Sequence, residues 1–476
     1  MIDNRLQYRG RVLLISMVIT GLSACANVGE TPYERPSVPA KQEWSGDDSK
    51  PTAAEVIRRD WWKEFNDEYL NKLIERAIKG DIDLRVLAAR IDVARADAKL
   101  ERAESLPKVN LDLSKTITRS SEQSGTTHSY SAQTGSSWEV DVWGRVSQGI
   151  SAKISEYRAT EADWRAGYLT LVSDVANRYF EIRKLDQQLE YQQNSINMNR
   201  KIQGIYNNQY REGLVAESRL LQQQAEFNDL RKDQLEQQRQ RTVAENNLAT
   251  LLGIPAGELH VPVSARAAGI SIPKVPVGLP SDLLSRRPDI VAQEQRVLAA
   301  HQLLGQARLA KLPRFSLTGT GSFTSNILSA LLKNWSLGLV PAISIPIFDP
   351  SIKANIKSNE ASARVAEEEY RNTVMQAFEE VETALVNISF RKKQQEQVTL
   401  QLSYLEQVNR NIHAQLEEGM VSQLQVFESE RSILSAQLGQ LELMQQVLVD
   451  TVTLYKTLGG GWNNQDLMVM AHAKDN

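Results

Sequence analysis

The chain has 476 residues, 24% of them charged, with 55 Lys and Arg against 58 Asp and Glu and one cysteine. This mild acidity excludes the basic face that nucleic-acid binding needs, and a lone thiol excludes a disulfide within the chain. The histidines (His128, His260, His301, His413 and His472) share no ligand spacing, so neither metal nor cofactor is expected and the chain reads as a non-enzyme.

At the N-terminus, Arg5, Arg9 and Arg11 precede an apolar run from Val12 to Ile19 that closes on Leu22-Ser23-Ala24-Cys25. A basic start, a short apolar stretch and small residues at a cleavage point make a secretory leader, too short to span a bilayer. Residues 1–24 are therefore expected to be removed and Cys25, at the lipobox position, to carry the lipid. Several acyl chains on one terminus, palmitate among them, would anchor it as a single chain cannot. Ala26 stands where Asp would favour retention in the inner membrane, which points to the outer membrane. Loss of the leader's three Arg and one Asp leaves 52 basic residues against 57 acidic. Residues 25–59, with Pro32, Pro36, Pro39 and Pro51, read as a lipidated tether. Trp61-Trp62 then open the folded body as packing residues.

Beyond the tether the chain repeats itself at an offset of 206 residues. Asp83-Leu84 matches Asp289-Ile290, Arg90 matches Arg296, Leu106-Pro107 matches Leu312-Pro313, and Glu212-Gly213 matches Glu418-Gly419. A fixed-period match of this length implies a duplicated half-protein, not a solenoid unit. The expected divisions are a first repeat over 60–262, a linker over 263–279, a second repeat over 280–462 and a tail over 463–476.

Each repeat carries two alternating segments. Val109, Leu111, Leu113 and Ile117, then Tyr130, Ala132, Thr134, Ser136, Trp138, Val140 and Val142, lie on every second position in the first. Phe315, Leu317, Gly319, Gly321 and Phe323, then Trp335, Leu337, Leu339, Ile343, Ile345 and Ile347, do so in the second. Period-two alternation over about ten residues suits a tilted outer-membrane strand. Four strands cannot close on themselves, and open edges are not tolerated in lipid. A barrel must then be shared between chains; two would supply eight strands and three would supply twelve, enough for a lumen.

The segments that follow have helical period. Tyr370, Val374, Ala377, Val381, Ala384 and Ile388, then Val398, Leu402, Leu405, Ile412 and Leu416, hold one heptad seam, with polar Arg391 and Gln395 in frame. No Pro or Gly falls between residues 351 and 417, so nothing forces a break. A return helix repeats the seam through Leu424, Phe427, Leu434, Leu438, Leu441, Leu448, Val452 and Tyr455, with Arg431 and Gln445 in frame. The first repeat has its counterpart at 146–212. Both long helices reverse at Glu-Gly, where glycine accepts the left-handed conformation of a helix end. The fold class expected is mainly α with a β-barrel part: long antiparallel coiled-coil hairpins plus four transmembrane strands per chain, internally duplicated.

Several motifs occur together and in order: Trp61-Trp62 with Leu70 and Leu73; Trp138-Glu139-Val140-Asp141-Val142-Trp143-Gly144-Arg145; Ser285-Arg286-Arg287-Pro288-Asp289-Ile290; Leu312-Pro313-Arg314-Phe315; and Leu454-Tyr455-Lys456-Thr457-Leu458-Gly459-Gly460-Gly461-Trp462. In these the chain resembles the outer-membrane efflux protein family of TolC type, near its lipidated drug-efflux members. The resemblance implies a homotrimer, a trimeric α/β-barrel set in outer-membrane lipid and continued by a helical barrel across the periplasm. It also implies a periplasmic adaptor and an inner-membrane resistance-nodulation-division pump as partners, with antibiotics and similar small molecules as cargo. The rival readings are a type I protein-secretion or metal-efflux duct, or a structural lipoprotein spanning the periplasm. By the same resemblance the periplasmic tips hold a gate, with Glu428 at an acidic aperture position and Gln425 where a second acid is usual. Arg219 stands where an acid is common, and is expected to pair with Glu428 or Glu418 of a neighbouring hairpin. The tip residues Gly213, Leu214, Val215, Gly419, Met420 and Val421 are the candidate adaptor-docking rim.

Overall fold

A computed structural model describes residues 33–39, 44, 57–119, 126–264, 270–277, 280 and 283–460. Cys25 and its leader lie outside the described residues, as do most of the tether and the end of the chain from Gly461. The elements run α1 (Glu68–Gly80), α2 (Ile82–Glu104), β1 (Lys108–Arg119), β2 (Thr126–Val140), α3 (Arg145–Arg211), α4 (Glu217–Leu251), α5 (Pro288–Leu309), β3 (Arg314–Ser325), β4 (Trp335–Ser344), α6 (Pro350–Glu417) and α7 (Gln423–Thr457). Helical turns at Trp61–Phe65, Leu283–Arg286 and Leu328–Lys333 punctuate them.

The duplication is visible in the lengths. The long helices α3 and α6 have 67 and 68 residues, and the return helices α4 and α7 have 35 each. The chain forms two compact units, and each takes segments from both repeats. Of the described residues, one unit contains 33–37, 89–162 and 292–372, and the other those within 38–88, 163–291 and 373–460.

The first unit holds one antiparallel sheet in the order β1-β2-β3-β4. The two hairpins thus join through β2 and β3, with Trp138 opposite Leu317 and Ala132 opposite Phe323. Strand alternation sorts the side chains into two faces. One is largely apolar, with rows such as Leu111, Thr134, Gly321 and Leu337; the other is polar, with rows such as Asp112, Gln133, Ser322 and Ser336. On the apolar face Leu111 is 67% exposed and Leu337 80%, which water alone does not tolerate over a contiguous patch. Two expected strand ends are corrected. β2 stops at Val140, where the Val142 N–H turns back onto the Val140 carbonyl at 2.9 Å, and β4 stops at Ser344 rather than Ile347. Pro346 has no N–H to continue the ladder.

The residues around the strand ends tie sheet to helix. Trp138 donates its indole N–H to the Ser105 carbonyl at 2.9 Å, and Trp143 donates to the Pro313 carbonyl at 2.7 Å. Arg145 grips both carboxylate oxygens of Glu139 at 2.8 Å, while Asp141 accepts from the N–H groups of Val146 and Ser147 and so caps α3. The Trp138–Arg145 motif is therefore a strand-to-helix joint. Leu304, Ala307, Ile356 and Ala363 form a small core between α5 and α6.

The second unit has the larger core. Trp61 stacks on Tyr455 with ring centres 4.8 Å apart, Phe65 packs on Phe180 at 5.2 Å, and all four are at most 1% exposed. The two tyrosine hydroxyls leave this core for acids, Tyr455 donating to Glu64 at 2.6 Å and Tyr179 to Asp67 at 2.5 Å. Burial, and then the adjoining carboxylate, pushes both phenols above their ordinary range. Along the α6 seam Tyr370, Val374, Ala377, Val381 and Ala384 are buried, and on α7 so are Leu441, Leu448, Val452 and Tyr455, while Leu424, Phe427, Leu434 and Leu438 are half-buried. Polar Arg391 sits in that seam because Asp450 faces it as an ion pair and the Gln446 carbonyl accepts from it at 3.0 Å.

Candidate functional site: the tips of the helical hairpins

Both long helices end in the same hydrogen-bonded turn. Gly213, at φ 69°, donates to the Tyr210 carbonyl while Leu214 N–H reaches back to Gln209 at 2.8 Å; Gly419, at φ 72°, donates to Leu416 while Met420 N–H reaches Gln415 at 2.8 Å. These paired bonds are the Schellman arrangement, which satisfies carbonyls that a helix end leaves open and needs a left-handed residue at its pivot. The turn then presents a side chain outward instead of burying it. Leu214 is 73% exposed and Met420 63%, with Val215 and Val421 half-buried behind them. Each tip is thus a small apolar knob on a rigid helical end.

The charged candidates stand just above the knobs. Arg219 on α4, Glu418 past the end of α6 and Glu428 on α7 are exposed, and none of the three forms an ion pair among the described residues. Gln425 is exposed too, but its side-chain carbonyl accepts the Ser422 N–H at 3.1 Å. It thereby secures the first turn of α7. Two further pairs, which the spacing of the sequence did not single out, lie nearby. His413 on α6 meets Glu430 on α7 at 3.5 Å, and Arg431 on α7 meets Glu226 on α4 at 3.9 Å. Burial raises the Glu430 carboxyl above its ordinary range.

Packing between hairpins leaves two flanks open. α3 bonds to α4 through Gln192 and the Leu230 carbonyl, and to α7 through Lys184 and Glu442 at 2.9 Å; α7 bonds to α6 through Asp450 and Arg391. The outer helices keep large apolar side chains in water: Leu221 and Leu235 on α4, Phe390, Leu400, Tyr404 and Val408 on α6.

Above the tips the first hairpin carries a charge clasp that the sequence reading missed. Asp186 has no exposed side-chain surface and receives Arg183 at 3.1 Å, Arg241 at 2.6 Å and the Ser264 N–H at 3.2 Å. Arg183 and Arg241 also donate to the Pro262 and Val261 carbonyls, and Glu245 accepts the Val261 N–H. Segment 261–264 is held on the hairpin by these bonds. The spacings Arg183-Asp186 and Arg241-Glu245 were visible as helix pairs, but nothing local marked their partner segment.

No helix among the described residues is long and apolar enough to cross a membrane; this says nothing of the strands. Among the described residues no three His, Cys, Asp or Glu side chains gather as a metal site.

The chain belongs to the outer membrane efflux protein family, whose model matches residues 73–254 and 279–460. The second match begins and ends 206 residues after the first, the offset of the internal repeat. Among its relatives is the cation efflux system protein CusC of Escherichia coli O6:H1, 30% identical over 94% of this chain and 97% of the relative. Another is the toluene efflux pump outer membrane protein TtgC of Pseudomonas putida, 30% identical over 95% and 96%. The open-state MtrE outer membrane channel of Neisseria gonorrhoeae superposes with a TM-score of 0.81 at 27% identity, covering 90% of this chain and 97% of that one. Membership makes the chain an outer-membrane efflux channel, and its sheet and hairpins are the parts of that architecture.

Proposed function

We propose that this chain is the exit duct of a tripartite efflux assembly. Three copies form the duct, Cys25 holds each copy to the outer membrane, and an adaptor with a resistance-nodulation-division pump delivers small organic molecules such as antibiotics. The observation that carries the reading is the unclosed sheet. β1 and β4 are both edges with an exposed apolar face, and the same chain leaves α4 and α6 with unburied apolar flanks. Strand edges in lipid and apolar helix flanks in water are both satisfied by further copies of the chain. With twelve strands, the assembly leaves a lumen. The relatives' names divide between cations and toluene, so a metal-efflux or protein-secretion duct is the competing reading for cargo.

In this reading the tips are both gate and dock. Among the described residues Arg219, Glu418 and Glu428 have no ion-pair partner, and α4 and α6 are the flanks that meet a neighbouring copy. Arg219 of one copy then pairs with Glu418 or Glu428 of the next and holds the aperture closed, with Gln425 beside it. A pair free in solvent contributes at most about 1 kcal/mol, so the lock depends on crowding three such pairs into one ring. Arg219→Glu is expected to raise single-channel conductance and to make cells leak large antibiotics; unchanged conductance and leakage would remove the lock.

The rim of Gly213, Leu214, Val215, Gly419, Met420 and Val421 is the adaptor's seat. A cysteine at Ser422, beside the rim, should crosslink in living cells to an adaptor when a thiol-to-amine reagent is added. Capture of a resistance-nodulation-division adaptor supports small-molecule or metal efflux, and export assays then separate these two. An adaptor of an ATP-driven exporter would move the chain to secretion, and peptidoglycan alone would favour a spacer.

A further inference from the structure

We infer that Asp112 makes the outer-membrane lumen selective for cations over anions, by a route independent of the periplasmic gate. The inference rests on the shared barrel proposed above and begins from the register of the sheet. The apolar row of Leu111, Thr134, Gly321 and Leu337 faces lipid in a barrel, so the adjacent row of Asp112, Gln133, Ser322 and Ser336 faces the lumen. Its neighbours on the same face are Asn110, Gly135, Thr320 and Gly338 on one side and Ser114, Ser131 and Thr324 on the other. Hydroxyls in these rows satisfy each other, Ser114 with Ser131 at 2.8 Å and Ser322 with Ser336 at 2.7 Å. Asp112 is the one charge among them.

Its charge is uncompensated. The Asp112 side chain has no ion pair or hydrogen bond to any described residue, and its cross-strand partner is the neutral Gln133. The other charges of this face lie near the helical end of the sheet: Glu139 meets Arg145 at 2.8 Å, Lys108 meets Glu104 at 3.9 Å, and Arg314 stands at the first position of β3, well along the strand from Ser322 of the Asp112 row. β1 is an edge strand, so its remaining neighbour in a closed barrel is β4 of another copy. β4 reads Trp-Ser-Leu-Gly-Leu-Val-Pro-Ala-Ile-Ser from Trp335 to Ser344 and contains no charged residue. Whatever register the junction adopts, that strand cannot supply a cation. Closing the barrel therefore leaves one free carboxylate per copy at one level of an otherwise hydroxyl-lined wall. Such a wall concentrates cations and depletes anions along the permeation path. Because the carboxylates sit in water, the effect spans the lumen in dilute salt, where the screening length is about 30 Å at 0.01 M, and collapses near 1 M, where it is about 3 Å.

The test reads the local potential directly in the full-length assembly. Gln133→Cys puts a thiol beside Asp112, and its labelling rates by a cationic and an anionic methanethiosulfonate are compared in 0.01 M and 1 M salt. With Asp112 present the cationic reagent is expected to be favoured, and Asp112→Asn should lower the cation-to-anion rate ratio about 3- to 10-fold in dilute salt, with little change at 1 M. Asp112→Lys should invert the ratio, and serves if the Asn variant assembles poorly. A ratio that ignores residue 112 would overturn the inference. So would labelling of Thr134→Cys but not Gln133→Cys, because that outcome puts the Asp112 row on the lipid side.

Discussion

Asp186→Ala is expected to destabilise the folded chain by about 3–5 kcal/mol, as removal of one partner from a buried ion cluster does elsewhere. The carboxylate has no exposed surface and neutralises two guanidinium groups, Arg183 at 3.1 Å and Arg241 at 2.6 Å. Without it, Glu245, at 2.9 Å from Arg241, is the remaining acid of the clasp. Arg183 would keep the Pro262 carbonyl at 2.7 Å and the face of Tyr179 at 4.7 Å, neither of which cancels a full charge. The freed Ser264 N–H would also release the end of the 261–264 segment. Urea unfolding followed by circular dichroism checks the size. An apolar double variant, Arg183→Met with Asp186→Leu, removes one charge of each sign and is expected to recover most of the loss. A loss below about 1 kcal/mol in Asp186→Ala would mean that the clasp is solvated and contributes like a surface pair.

The second large effect is expected at a pair of glycines that the duplication has preserved. Gly253 has φ 66° and Gly459 has φ 89°, and they are 206 residues apart. A Cβ on Gly253 would stand 2.2 Å from the carbonyl oxygen of Gly80, and one on Gly459 would stand 2.5 Å from that of Arg286. Gly80 and Arg286 are themselves related by the repeat offset, so one backbone-to-backbone approach occurs twice. Each substitution to alanine combines a left-handed backbone with a collision against a carbonyl held in a packed helix end. Together these are expected to cost about 2–4 kcal/mol at each site. Gly419→Ala is the control: at φ 72° it has the same backbone demand but nothing within 4 Å, and about 1 kcal/mol is expected. Thermal melts of the three variants check the order. Equal losses at positions 419 and 459 would show that conformation, and not the close approach, sets the cost.

What could be read from the sequence was what repeats at short range. The α6 seam was legible because burial follows a period the residues carry themselves, fully from Tyr370 to Ala384 and at Leu402, and the Glu-Gly reversals because a left-handed turn needs glycine. Strand ends were less so. The alternation of Ile343, Ile345 and Ile347 outlasted the strand, since Pro346 ends hydrogen bonding without changing the pattern of apolar side chains. Long-range pairings were not legible. Arg391 looked like a flaw in the seam until Asp450 was placed against it from another helix. Nothing near Asp186 announced the segment it holds, and nothing in either hairpin announced that β2 pairs with β3. The candidate gate residues are a different case, because Arg219, Glu418 and Glu428 form no ion pair among the described residues. Any lock among them is a property of the assembly.

The reading as a duct is tested most directly by conduction. The purified full-length chain, wild type and Arg219→Glu, is added to a planar lipid bilayer in dilute potassium chloride. Discrete, cation-selective steps that are larger or longer-lived in the variant are the predicted result, since the lumen exists in both and the tip restrains it in one. Trimers that insert but carry no current in either form would contradict the account, and would leave a lipoprotein that spans the periplasm without opening a path through it.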